Sequence, residues 1–158
     1  EVWDAVRTLC GVSEGVDPAK HFSVADERLH DGLIYDDSVI SVTALHNTHL
    51  AKREKAGEKL SFSFRIESGG KAVVFSGDTK TYEEIYPLFE GGCDLALCET
   101  GHHIPADVAV ALEGKTDAIG FIHHGRRILA DAEGEAKIAR EKFSGKITVF
   151  RDGDVSEY

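Results

Sequence analysis

The sequence predicts an α/β fold on three observations: short β-branched apolar runs of strand length, helical patterns that alternate with them through the second half, and glycine-rich turns between the two. At the start, Glu1–Leu9 puts Val2, Ala5, Val6 and Leu9 on one helical face and stops at Cys10-Gly11. Past Asp17-Pro18, the runs His21–Val24 and Leu33–Tyr35 are short enough for edge strands or loops. Val39–Leu45 is β-branched and apolar, Lys52–Lys59 is a charged loop, and Leu60–Ile66 alternates as a half-buried strand does. Gly69-Gly70 then folds the chain back into Lys71–Phe75 as a hairpin.

Thr81-Tyr82-Glu83-Glu84 has the capping-box pattern, which predicts an α-helix to Phe89, stopped by Gly91-Gly92. Four further elements alternate: strand Asp94–Cys98, a helix Pro105–Leu112 with proline in its first turn, strand Ala118–Ile122, and a helix from Gly134 to Phe143. Strand Ile147–Phe150 and a last hairpin through Asp152-Gly153 to Val155 close the chain.

One domain is expected from 158 residues, and 42% hydrophobic with 29% charged residues is the balance of a soluble globular protein. No apolar run reaches the length of a membrane span, so no membrane association is expected. The formal charge of −10 counts against a long nucleic acid as partner. Cys10, Cys93 and Cys98 lie in or beside apolar runs and are odd in number, which points to free buried thiols and a reducing, cytoplasmic compartment. The chain opens with Glu1 and has no methionine, which is the pattern of a segment from a longer protein.

The chemistry concentrates where the apolar runs end. Val39–Leu45 leads into His46-Asn47-Thr48-His49, Lys71–Phe75 into Ser76-Gly77-Asp78-Thr79, Asp94–Cys98 into Glu99-Thr100-Gly101-His102-His103, and Ala118–Ile122 into His123-His124-Gly125. Imidazole and carboxylate are the donors that bind zinc and related divalent ions, and loops at the carboxyl ends of like-directed strands meet at one crevice. A lone histidine at a strand end is ordinarily a surface or capping residue, and Asp78 alone reads as a turn residue. Four junctions with the same chemistry favour a shared site.

From Val39 to Tyr158 the chain resembles the second half of the metallo-β-lactamase fold. There an apolar strand leads to a His ligand, another to a Ser/Thr-Gly-Asp-Thr turn, and a later one to a final His. The resemblance implies a four-layer αββα sandwich of which residues 1–158 supply mainly the second half, as one domain incomplete at its amino-terminal side, with one sheet face left bare. It implies metal ligands His49, Asp78 and His123, with Asp78 bridging two divalent ions, zinc foremost and manganese or iron as alternatives. His46 in place of His49, and His124 in place of His123, stay open. His102 or His103 is implied as proton donor to a leaving group, beside the catalytic Asp78. The family's His-x-His-x-Asp-His motif does not occur in these residues. The implied activity is a metal-dependent hydrolase acting through a water activated by a binuclear centre on a small molecule, a phosphodiester or a (thio)ester. A non-catalytic scaffold and a di-iron redox protein are the alternatives on the same fold, and self-association is left open.

Overall fold

A computed structural model describes residues 28–157, so the predicted helix Glu1–Leu9, the run His21–Val24 and Cys10 lie outside the described residues. Seven strands form one sheet in sequence order: β1 (Gly32–Asp36), β2 (Ile40–His46), β3 (Phe62–Ser68), β4 (Lys71–Phe75), β5 (Leu95–Thr100), β6 (Ala118–His124) and β7 (Lys146–Val149). The pairs β1/β2, β2/β3 and β3/β4 are antiparallel, while β4/β5, β5/β6 and β6/β7 are parallel. Two reversals, at β3 and again at β4, therefore bring β2 back into the direction of β4, β5, β6 and β7. Gly69 and Gly70 make the second reversal at φ 58° and 78°, the left-handed pair that a two-residue hairpin turn between Ser68 and Lys71 demands.

Across the sheet, Val74, Ala96, Ile119 and Ile147 stand in register on one face and are buried. Helices α1 (Pro105–Leu112), α2 (Arg126–Ala130) and α3 (Ala132–Arg140), with a 3₁₀ helix at Glu83–Phe89, pack that core through Ile85, Leu88, Val108, Leu112, Ile128 and Ala139. Each large aliphatic side chain buried this way stabilises the fold by roughly 1.5–3 kcal/mol. The opposite face carries Val42, Phe64, Ile66, Val73 and Leu97 half-buried, and Phe75 exposed. On it the Phe150 ring lies so close over Gly120 that a Cβ there would come within 2.5 Å of the ring.

Several sequence expectations need correction. Glu83–Phe89 is a 3₁₀ helix without a side-chain N-cap, because Pro87 inside it offers no N–H to an α-helical ladder. Glu99 and Thr100 belong to β5, and His123 and His124 to β6, so these residues sit within strand ends and not beyond them. The helix placed from Gly134 begins two residues earlier and ends at Arg140, and the short α2 before it has no apolar repeat to announce it. Asp152-Gly153 makes a turn, but Val155 is 92% exposed and joins no strand, so the last hairpin does not form.

Candidate metal centre

Because β2, β4, β5 and β6 run the same way, their carboxyl ends open on a single edge of the sheet. Asp78 reaches it on the turn that ends β4. Gly77 holds φ +55° there, and a Cβ at that position would lie 2.6 Å from the Phe62 carbonyl oxygen, so only glycine lets the turn pass β3. The turn is fastened to β5: Ser76 N–H donates to the Leu97 carbonyl at 2.9 Å, and Glu99 N–H donates to Ser76 Oγ at 3.0 Å.

His123 arrives by a different device. The β5/β6 register runs Glu99↔Ile122 and then Thr100↔His124, which leaves His123 on a bulge, where it adopts φ 43°. Outside glycine such a conformation is uncommon and is seen where a site requires it. The bulge aims the ring at Asp78, with Nδ1 2.6 Å from Oδ1. Gly101 makes room, since a Cβ there would stand 3.2 Å from the His123 ring.

From the end of β2, His49 brings Nε2 to 3.8 Å from Asp78 Oδ2, and its backbone N–H donates to Asn47 Oδ1 at 3.1 Å. The neighbouring histidines are otherwise engaged. His46 Nε2 pairs with Glu54 Oε1 at 2.7 Å and its ring stands edge-on to Phe62, while His124 Nε2 donates to the Phe150 carbonyl at 2.6 Å. Of His46 and His49, and of His123 and His124, His49 and His123 are thus the ones facing Asp78.

Glu99 supplies a second carboxylate, 1% exposed at the end of β5. It accepts the His102 N–H at 2.9 Å and lies 3.1 Å from His102 Nδ1. His103 points inward instead, donating from Nε2 to the Thr79 carbonyl at 2.9 Å with its ring against Tyr82. Tyr82 in turn donates to the Glu99 carbonyl at 2.9 Å, and burial pushes its hydroxyl pKa well up, so it stays a neutral donor. The His49, His102 and His123 rings follow one another edge to face, 4.8 and 5.7 Å apart.

Ligand atoms of Asp78, Glu99, His102 and His123 all fall within 4.8 Å of one another, a candidate metal-binding cluster. The donor set fits a borderline divalent ion: imidazole nitrogens with carboxylate oxygens, one carboxylate buried and oriented by backbone N–H. Glu99 is the member that the sequence reading left without a role. Its signal was present in an acidic residue closing an apolar strand three positions before a histidine.

A mixed sheet with helices on one face and a His/carboxylate cluster at the carboxyl ends of its strands defines an α/β protein with a candidate metal centre. The family is given by the sequence pattern of the β-lactamase superfamily domain, which matches residues 13–139, and the chain belongs to that superfamily. The fold agrees with that of the metallo-β-lactamase fold protein YhfI from Bacillus subtilis, with a TM-score of 0.63 at 17% identity over 78% of this chain and 52% of that one. A Parabacteroides distasonis protein provisionally described as a metal-dependent hydrolase gives 0.54 at 16% identity, over 78% and 57%. A variant of the CmlA β-hydroxylase gives 0.53 at 12%, over 76% and 31%. The chain thus spans about half the length of the first two structures. No curated protein matches it in sequence. Among the described residues no helix is long and apolar enough to cross a membrane.

Proposed function

We propose that the protein is a metal-dependent hydrolase in which His49 and His123 would each hold a divalent ion and Asp78 would be shared between the two. The observation that carries this reading is the convergence of His49 and His123 on the two oxygens of one carboxylate, Oδ2 at 3.8 Å and Oδ1 at 2.6 Å. With a different imidazole facing each oxygen, one carboxylate could serve both histidines' ions. Divalent ions held there supply Lewis-acid polarisation of the scissile bond and lower the pKa of water.

The chain's own residues do the rest. Glu99 fixes the His102 ring through Nδ1, which leaves Nε2 as the nitrogen that hands a proton to the leaving group. His103 anchors the Asp78 turn through Thr79, with Nε2 also 3.4 Å from Glu99 Oε1. A phosphodiester or a (thio)ester suits this arrangement, since both need a polarised P=O or C=O and a protonated leaving oxygen or sulfur.

The test is to purify the full natural protein and its Asp78→Asn variant and to measure bound zinc, manganese and iron together with hydrolysis of bis(4-nitrophenyl) phosphate and a thioester. Stoichiometric metal that falls by more than about 100-fold in affinity in the variant, beyond the loss outer-shell partners cause, supports the reading. Unchanged metal content in Asp78→Asn, or only trace metal in the natural protein, overturns it.

A further inference from the structure

Glu84 is not one of the candidate ligands, yet it touches the loops that carry two of them. One carboxylate oxygen, Oε2, accepts the Thr48 N–H at 2.9 Å and the Thr48 hydroxyl at 2.7 Å, on the loop of His49. The other, Oε1, accepts the Thr79 hydroxyl at 2.6 Å and the Lys80 and Thr81 N–H groups at 2.9 and 3.2 Å, on the turn of Asp78. The position of Glu84 in the first turn of the 3₁₀ helix, reaching back to the N–H groups before it, accounts for the bonds from Lys80 and Thr81. It does not account for Oε2, which reaches Thr48, 36 residues away in sequence.

We propose that Glu84 is a positioning residue that ties the His49 loop to the Asp78 turn and so sets the separation of these two candidate ligands before an ion binds. This rests on the reading of His49 and Asp78 as ligands. A carboxylate suits the task because five donors converge on its two oxygens, and an ionised carboxylate is acceptor-only at both. Glutamine fails at one arm in either orientation, since its NH₂ would face donors. A second brace runs parallel: Asn47 receives the His49 N–H and donates to Ser63, whose hydroxyl donates to the Ser76 carbonyl at 2.5 Å. This brace ties the His49 N–H to the ends of β2, β3 and β4, whereas Glu84 bonds the sequence neighbours of His49 and Asp78, Thr48 and Thr79, through a single side chain. Burial disfavours its charge, but the hydrogen bonds from Thr79 and Thr48 outweigh this and hold its pKa down to about 2.

The experiment uses the full natural protein, zinc titration by competition with a chromophoric chelator, and amide hydrogen exchange on the metal-free form. Glu84→Gln is expected to weaken zinc about 10- to 100-fold, the range for outer-shell partners. Thr48→Val, which trims only a hydroxyl from the far arm, is expected to lower zinc affinity less and keeps the test usable if Glu84→Gln does not fold. Thr79→Val, on the Asp78 side, is expected to speed exchange of the Thr48 amide on the His49 side. Thr116→Val, which removes hydroxyl bonds at the opposite edge of the sheet, is expected to leave zinc affinity within about twofold, as for a distant independent site. Zinc affinity unmoved by the Glu84 and Thr48 changes, an equal loss in Thr116→Val, or a Thr48 amide indifferent to Thr79→Val each overturns the proposal. If the natural protein binds no zinc, manganese or iron, the hydrolase reading falls, and the exchange result alone decides for or against the tie.

Discussion

The two edges of the sheet use the same kinds of residue to different ends. At the amino ends of the parallel strands, polar groups are matched within the fold. Asp94 takes Lys71 Nζ at 2.6 Å and the Ala72 N–H at 2.8 Å, Thr116 donates to the Cys93 and Ala118 carbonyls, and Arg65 holds the Leu88 and Gly92 carbonyls. The hydrogen bond from Lys71 and that from Ala72 hold the Asp94 carboxyl below its ordinary pKa, as expected of a structural carboxylate. At the carboxyl ends, three imidazoles and two carboxylates face one another. The difference teaches that a surplus of donor atoms at one spot, and not the presence of charge, separates a candidate site from a structural edge.

That contrast can be broken by experiment, and the largest effect is expected at Gly77. Gly77→Ala forces a Cβ against the Phe62 carbonyl in a left-handed conformation and should destabilise the fold by about 3 kcal/mol, read as a shift of the denaturant midpoint. It should also release bound metal, because the Asp78 turn moves with it; a variant of natural stability would show that the turn tolerates a side chain. Next in size, Thr116→Val removes the hydroxyl that bonds the Cys93 and Ala118 carbonyls at the amino edge and should cost about 1 kcal/mol, with metal content intact. Loss of metal in that variant would blur the division between the edges.

The smallest effect is on pH dependence and sharpens the comparison at Glu84. Its pKa is lowered on folding, from an ordinary 4.5 to about 2, so its contribution to stability is present above about 4.5 and is lost as pH falls through the folded value. In the metal-free protein, the stability difference between natural protein and Glu84→Gln should therefore shrink as pH is lowered from 5 towards about 2. A difference that stays constant over that window would mean that the charge on Glu84 does not matter to the loops.

Much of the frame was legible in the residues. Val39–Leu45 and Lys71–Phe75 announced their strands by β-branched runs, and Pro105–Leu112 announced its helix by the proline at its first turn, because these signals are local. The nature of Glu83–Phe89 was misjudged where two local signals conflicted: the capping-box pattern favoured an α-helix, and Pro87 prevailed. The engagement of His46 by Glu54 was not legible, because it depends on Glu54 folding back onto His46. Nor was the bulge at His123, which exists only once β6 is paired with β5. Glu84 looked like a helix cap and shows its second role only when Thr48 is brought beside it.

The double reversal at β3 and β4 has a meaning beyond layout. A chain that doubles back an even number of times keeps its heading, and one that doubles back an odd number of times inverts it. One more hairpin strand spliced between β2 and β4 would send the Asn47-Thr48-His49 tip to the far rim, a full strand length from Asp78, with every local sequence signal unchanged. What keeps both tips on one rim is that the number of reversals between them is even, whatever that number is.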